Sequence, residues 1–63
     1  MLTPREREVA ALIAEGLSNR QIGERMLITR RTAAAHVEHI LDKLALTSRT
    51  QVGIWAAEHL WRS

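Results

Sequence analysis

The chain has 63 residues and no cysteine. No disulfide can staple the fold, and no thiolate can hold a metal. A cytoplasmic setting fits that absence. No apolar run approaches the roughly 20 residues needed to span a bilayer, so no membrane partner is expected. The N-terminus lacks the charged and long apolar regions of a signal peptide. Strand-like alternation, internal repeats, long linkers and low-complexity stretches are all missing. So is catalytic equipment. There is no paired-carboxylate cleft, no glycine-rich phosphate loop and no nucleophile with a positioned base. Neither an enzyme nor a cofactor is expected. His36 and His39 lie one turn apart, but no third ligand accompanies them, so zinc is not expected either. A chain this short makes one domain, residues 1–63, with a stability of only a few kcal/mol.

Net charge is +2, which says little until it is placed. Residues 20–49 hold six basic side chains (Arg20, Arg25, Arg30, Arg31, Lys43, Arg49) and three acidic ones (Glu24, Glu38, Asp42), a balance of +3. The rest holds three basic and four acidic, a balance of −1. The excess sits on the middle segment, a modest footprint for a polyanion. An ordinary solvated surface would look the same by charge alone.

Four helices can be placed, and the chain is predicted to be all-α. Thr3, Pro4 and Glu6 form a helix start, with Thr3 as cap, Pro4 at the first helical position and Glu6 completing a capping box. Val9, Leu12 and Ile13 make its apolar stripe, and Gly16 ends it. Ser18 and Gln21 form a second capping box, with Leu17 and Ile22 at the staple positions. Ile22 and Met26 face the core, and Leu27 and Ile28 form a short apolar connector. Thr29 caps a third helix, about residues 30–44. Ala33, Val37, Ile40, Leu41 and Leu44 fall on one buried face. Arg31, Ala35, Glu38 and Asp42 fall on the opposite face. Ser48 and Gln51 form a third capping box, opening a helix of about residues 49–61. Val52, Ala56 and Leu60 make one apolar face there, with Trp55 beside it. Ile54, Ala57 and Trp61 make a second, nearly opposite.

A short helix, a tight turn and a second helix with a basic start is the helix-turn-helix layout. In it the second helix inserts its N-terminal end into the DNA major groove. Residues 2–9 (LTPREREV), 16–22 (GLSNRQI) and 28–32 (ITRRT), then His36, Ile40, Lys43, Leu44, Ser48 and Arg49, resemble the LuxR-type (GerE-like) DNA-binding domain of bacterial transcription regulators. The resemblance covers nearly the whole chain. It implies a four-helix domain binding double-stranded DNA, with the third helix in the major groove and the fourth as the seam of a homodimer. It also implies a C-terminal piece of a longer regulator that carries an upstream sensor or receiver domain.

Arg31 points outward from the third helix and suits a guanine edge or a phosphate. Arg30 lies nearer the core edge, where a phosphate contact or an intramolecular pair is expected. Thr29 caps, and it or the nearby N–H groups can also meet a phosphate. Thr32 sits one turn in. Ser18, Asn19 and Arg20 open a helix that would cross the DNA backbone. For Lys43 and Arg49 the resemblance implies phosphate contacts, with plain solvation as the alternative. At Ala34, Ala35 and Glu38 the chain departs from its relatives. The family often has lysine at the position of Ala34, and its groove-facing positions commonly help to read DNA. Alanine can touch a thymine methyl, and glutamate can accept from cytosine N4. Glu38 would equally repel phosphates, so weak affinity and an altered sequence preference are expected.

Gly53, Ile54, Ala57 and Trp61 are predicted to form the dimer seam, because a smooth Gly53–Ala57 patch lets a second helix come close. Gly53 costs roughly 1 kcal/mol in a helix interior relative to alanine. Two other functions fit less well: a sigma-factor-like DNA-binding region, which shares the helix-turn-helix but not the full motif order, and a helical protein-interaction domain that has drifted from DNA.

Overall fold

The computed structural model describes residues 1–60, which form four helices and no strand. They are α1 (Pro4–Ala14), α2 (Asn19–Met26), α3 (Arg30–Leu44) and α4 (Arg49–His59). The fold is the all-α, four-helix arrangement that the sequence predicts. Residues 61–63 lie outside the described part, so the expected end of the fourth helix near residue 61 does too.

Every helix starts on the cap read from the sequence. Thr3, Ser18, Thr29 and Ser48 each accept a hydrogen bond from the backbone N–H three residues on. Capping boxes are complete on α1, α2 and α4. Each cap is worth roughly 1 kcal/mol.

The first three helices end alike. Gly16, Leu27 and Ala45 take the left-handed conformation, with φ of 91°, 59° and 55°. In each case the next residue sends its N–H back five positions: Leu17 to Leu12, Ile28 to Gly23 and Leu46 to Leu41. This six-to-one closure satisfies carbonyls that the helix end would otherwise orphan. Leu17, Ile28 and Leu46 then tuck against the core. Only the first of these turns has a glycine. A Cβ in the left-handed region costs about 1–2 kcal/mol, which Leu27 and Ala45 both carry. The apolar connector expected at Leu27 and Ile28 is therefore only half apolar in effect. Ile28 packs inward, whereas Leu27 is 91% exposed because the left-handed turn swings its side chain out.

The core is drawn from all four helices. Ile22, Ile40, Val9 and Val52 are its largest fully buried side chains, one from each helix. Burying each contributes roughly 1.5–3 kcal/mol. Ala33 and Val37 are also buried, while Leu41 and Leu44 are half-buried, as a stripe that leaves the core toward its end. The helices pack chiefly in two pairs, α1 with α4 and α2 with α3, and α1 also touches α3.

Glycines mark two close approaches. Gly23, on α2, is buried beneath the turn into α3. A Cβ there would lie 2.7 Å from the Ile28 carbonyl oxygen and 3.2 Å from the Thr29 carbonyl carbon. Gly53, on α4, faces α1. A Cβ there would meet the Ala14 Cα at 3.6 Å and Ile13 at 3.7 Å, ordinary contact distances. The smooth surface at Gly53 thus meets a helix of its own chain. Gly53 is half-buried and also lines, with Ile54 and Ala57, an open groove beside α1.

Candidate nucleic-acid interface

The outward face of α3 begins with four exposed residues, Thr29, Arg30, Arg31 and Thr32. The cap holds the two threonines together. The Thr29 hydroxyl oxygen accepts from the Thr32 N–H at 3.0 Å, and its own hydroxyl donates to the Thr32 oxygen at 2.9 Å. One hydroxyl proton is thereby engaged between the two threonines, and the other is left to donate outward. Arg30 and Arg31 make no ion pair among the described residues. The intramolecular pair considered for Arg30 therefore does not form there, and both guanidinium forks face solvent.

Further along, the same face changes character. Ala34 is half-buried, and Ala35, Glu38 and Asp42 are exposed. No ion pair among the described residues neutralises Glu38 or Asp42. The basic end of the face and its acidic continuation are thus separate along one helix.

The N-terminus of α2 presents Ser18, Asn19 and Arg20. Ser18 caps, accepting from the Gln21 N–H at 3.2 Å. Arg20 lies 3.5 Å from Glu24, with both side chains mostly exposed. Such a pair contributes little and exchanges readily for a stronger anion. Asn19 is half-buried and held from α4. Arg49 donates one branch of its fork to the Asn19 Oδ1 and the other to the Leu17 carbonyl oxygen, both at 2.6 Å.

Lys43 has an intramolecular partner as well. Its ammonium donates to Glu6 Oε1 at 2.8 Å. The same oxygen accepts from the Thr3 N–H at 2.9 Å, within the α1 capping box. Glu6 is the one buried charged residue described, at 4% exposure. The Lys43 hydrogen bond, then the Thr3 N–H, hold its carboxyl down at about 2, against the opposing effect of burial. For Lys43 and Arg49 the resemblance implies phosphate contacts, with solvation as the alternative. The structure commits Arg49 to an internal network and Lys43 to Glu6. Both partners lie at least 30 residues away in sequence, so no local pattern could have revealed them.

On α4, Ile54 is 56% exposed and Ala57 is exposed. They border a shallow groove against the C-terminal end of α1, together with Ala14 and Leu17. Trp55 stacks on His59, with ring centroids 4.7 Å apart and planes within 15°. Trp61, expected in the seam, lies outside the described residues. No group of three or more His, Asp or Glu able to hold a metal occurs among the described residues. No described helix is long and apolar enough to cross a membrane.

Two packed helices with a tight turn, a supporting pair behind them and a basic, solvent-facing start to the second helix define a helix-turn-helix DNA-binding domain. The family can be stated more closely. The model of the luxR family of bacterial regulatory proteins matches residues 1–56, and the chain belongs to that family. It is 48% identical over 54 residues to the nitrate/nitrite response regulator protein NarL of Escherichia coli, covering 86% of this chain and 25% of that protein. It is 47% identical over 55 residues to the transcriptional regulatory protein LiaR of Bacillus subtilis, covering 87% of this chain and 26% of LiaR. It is 48% identical over 59 residues to the response regulator protein VraR of Staphylococcus aureus, covering 94% of this chain and 28% of VraR. The chain thus spans about a quarter of the length of these relatives. The family assignment supports DNA binding in transcription regulation as its function.

Proposed function

We propose that this domain binds double-stranded DNA by laying the N-terminal half of α3 in the major groove. Arg31 reads a guanine edge or grips a phosphate, and Arg30 grips a phosphate. Thr32 and the N-terminal residues of α2, Ser18, Asn19 and Arg20, make further backbone contacts. Thr29 acts mainly by shaping the cap. Phosphate contacts supply affinity, and the groove-facing residues of α3 supply sequence preference. Ala34 and Ala35 leave room for thymine methyls, and Glu38 accepts from cytosine N4 or, elsewhere, repels the backbone. Lys43 and Arg49 add positive charge behind the interface, but their nearest roles are internal. The observation that carries this reading is the exposed pair Arg30–Arg31, free of ion pairs among the described residues, at the start of the helix that the helix-turn-helix presents.

Dimerisation belongs to the same proposal. Ile54 and Ala57 give α4 an exposed apolar strip, and the half-buried Gly53 lines the groove beside them. A two-fold pair would read half-sites about one helical turn apart. By likeness to the response regulators named above, the proposal places this domain in a longer cytoplasmic regulator with an upstream receiver domain.

Selection of bound duplexes from a random pool tests binding and reads the site together. An enriched motif with two-fold symmetry is the expected result. A second reading, a helical protein-interaction domain, draws on the acidic stretch Glu38–Asp42. A pool that enriches nothing, with binding insensitive to salt, would favour it.

A further inference from the structure

Arg49 reaches across the domain from the first turn of α4 to the first turn of α2. A guanidinium only donates, so the Asn19 atom 2.6 Å from it must be the amide oxygen. That contact fixes which way the Asn19 amide faces. Its nitrogen, Nδ2, has no hydrogen-bond partner among the described residues, yet no buried side-chain polar atom is left without a partner. Nδ2 therefore reaches solvent, beside the exposed Ser18 and Arg20. The Leu17 carbonyl, just ahead of the α2 cap, holds the other branch of the fork, so Arg49 cannot turn away without releasing both.

Resting on the DNA-binding reading above, we infer that Arg49 is a positioning residue: it holds the Asn19 amide so that its N–H donors face a DNA phosphate, and it does not itself neutralise one. The chemistry favours this division. A neutral amide aimed by a rigid fork gives a directed hydrogen bond without counterion release. Two of the five guanidinium N–H donors are held on the Asn19 and Leu17 oxygens, which fixes the plane and position of the fork against α2. The strut also joins α4 to the DNA-facing end of α2, so displacement of α4 would loosen a backbone contact.

The test titrates a mixed-sequence duplex at several salt concentrations with the parent, Arg49→Met, Arg49→Lys, Asn19→Ala and the Asn19→Ala/Arg49→Lys double variant. Circular dichroism confirms that each is helical at the working temperature. Asn19→Ala is expected to weaken binding about tenfold without changing the salt slope, because no charge is lost. Arg49→Lys keeps the charge but not the fork. It is expected to lose about three- to tenfold, and the double variant to be no weaker than Asn19→Ala alone, since the two act through one contact. Arg49→Met is expected to keep the parent slope. A slope shallower by about 0.9 in Arg49→Met would place Arg49 on a phosphate and overturn the inference. So would full affinity in Asn19→Ala, or additive losses in the double variant. A parent chain with no salt-dependent binding would overturn the DNA reading itself, a result distinct from any of these. Should Arg49→Met fail to fold, Asn19→Ala and Arg49→Lys still decide.

Discussion

Gly23 and Gly53 both sit where one helix meets another segment, and the two contacts differ in kind. At Gly23 the backbone of the turn into α3 lies so close that a methyl would fall 2.7 Å from a carbonyl oxygen. At Gly53 the nearest atom of α1 is 3.6 Å from the same imagined methyl. The α2–α3 pair is therefore fixed by an approach that admits no side chain. The α1–α4 pair has room for one carbon. The pair with the closed approach carries the exposed arginines, and the other carries the exposed Ile54 and Ala57.

Gly23→Ala attacks the rigid contact and should have the largest effect. The backbone must shift, at about 3 kcal/mol, and thermal unfolding by circular dichroism should fall by roughly 15 °C. An unchanged midpoint would erase the difference between the two pairs.

Next comes the Glu6–Lys43 contact, which ties α1 to α3 and so joins the halves. The Glu6 carboxyl is lowered from 4.5 to about 2 in the folded chain. A lowered carboxyl stabilises the fold fully above its unfolded value and ceases to do so as pH falls through its folded value. Stability should therefore decline between about pH 4.5 and 2 as the contact is lost. Glu6→Gln should cost about 2 kcal/mol at neutral pH and flatten that decline, as read by denaturant unfolding at several pH values.

Glu38→Lys sharpens the comparison on the DNA side. It extends the basic start of α3 and should raise duplex affinity about three- to tenfold at low salt, with a steeper salt dependence. No gain would remove Glu38 from the interface.

Gly53→Ala has the smallest expected effect and the opposite sign to Gly23→Ala. The added methyl meets only ordinary contacts, so helix propensity should stabilise the fold by about 0.5–1 kcal/mol. A loss of stability would show that α4 is as tightly seated as α2.

What could be read from the sequence follows from range. Caps depend on residues three apart, and all four fall where Thr3, Ser18, Thr29 and Ser48 place them. The core stripe of α3 is equally local, and so is the split of its outer face into arginines and then alanine and acid. The exposure of Leu27 is not legible in the same way, because the left-handed backbone that turns it outward leaves no mark in side-chain type. At Gly53 a small residue shows that something comes close, and the structure supplies α1 of the same chain on one side. The partners of Lys43 and Arg49 were hidden for a third reason. They are set by how four helices pack, and a lysine or arginine reads as a phosphate ligand until its neighbour is known.

The proposed function stands or falls on whether the basic start of α3 grips DNA. The most direct test is a salt titration of duplex binding by the parent and by the Arg30→Ala/Arg31→Ala variant, with helical content checked in both. The variant is expected to lose about a hundredfold in affinity at low salt, with a slope shallower by about 0.9 for each arginine that rested on a phosphate. Equal affinity and equal slope in a fully helical variant would contradict it.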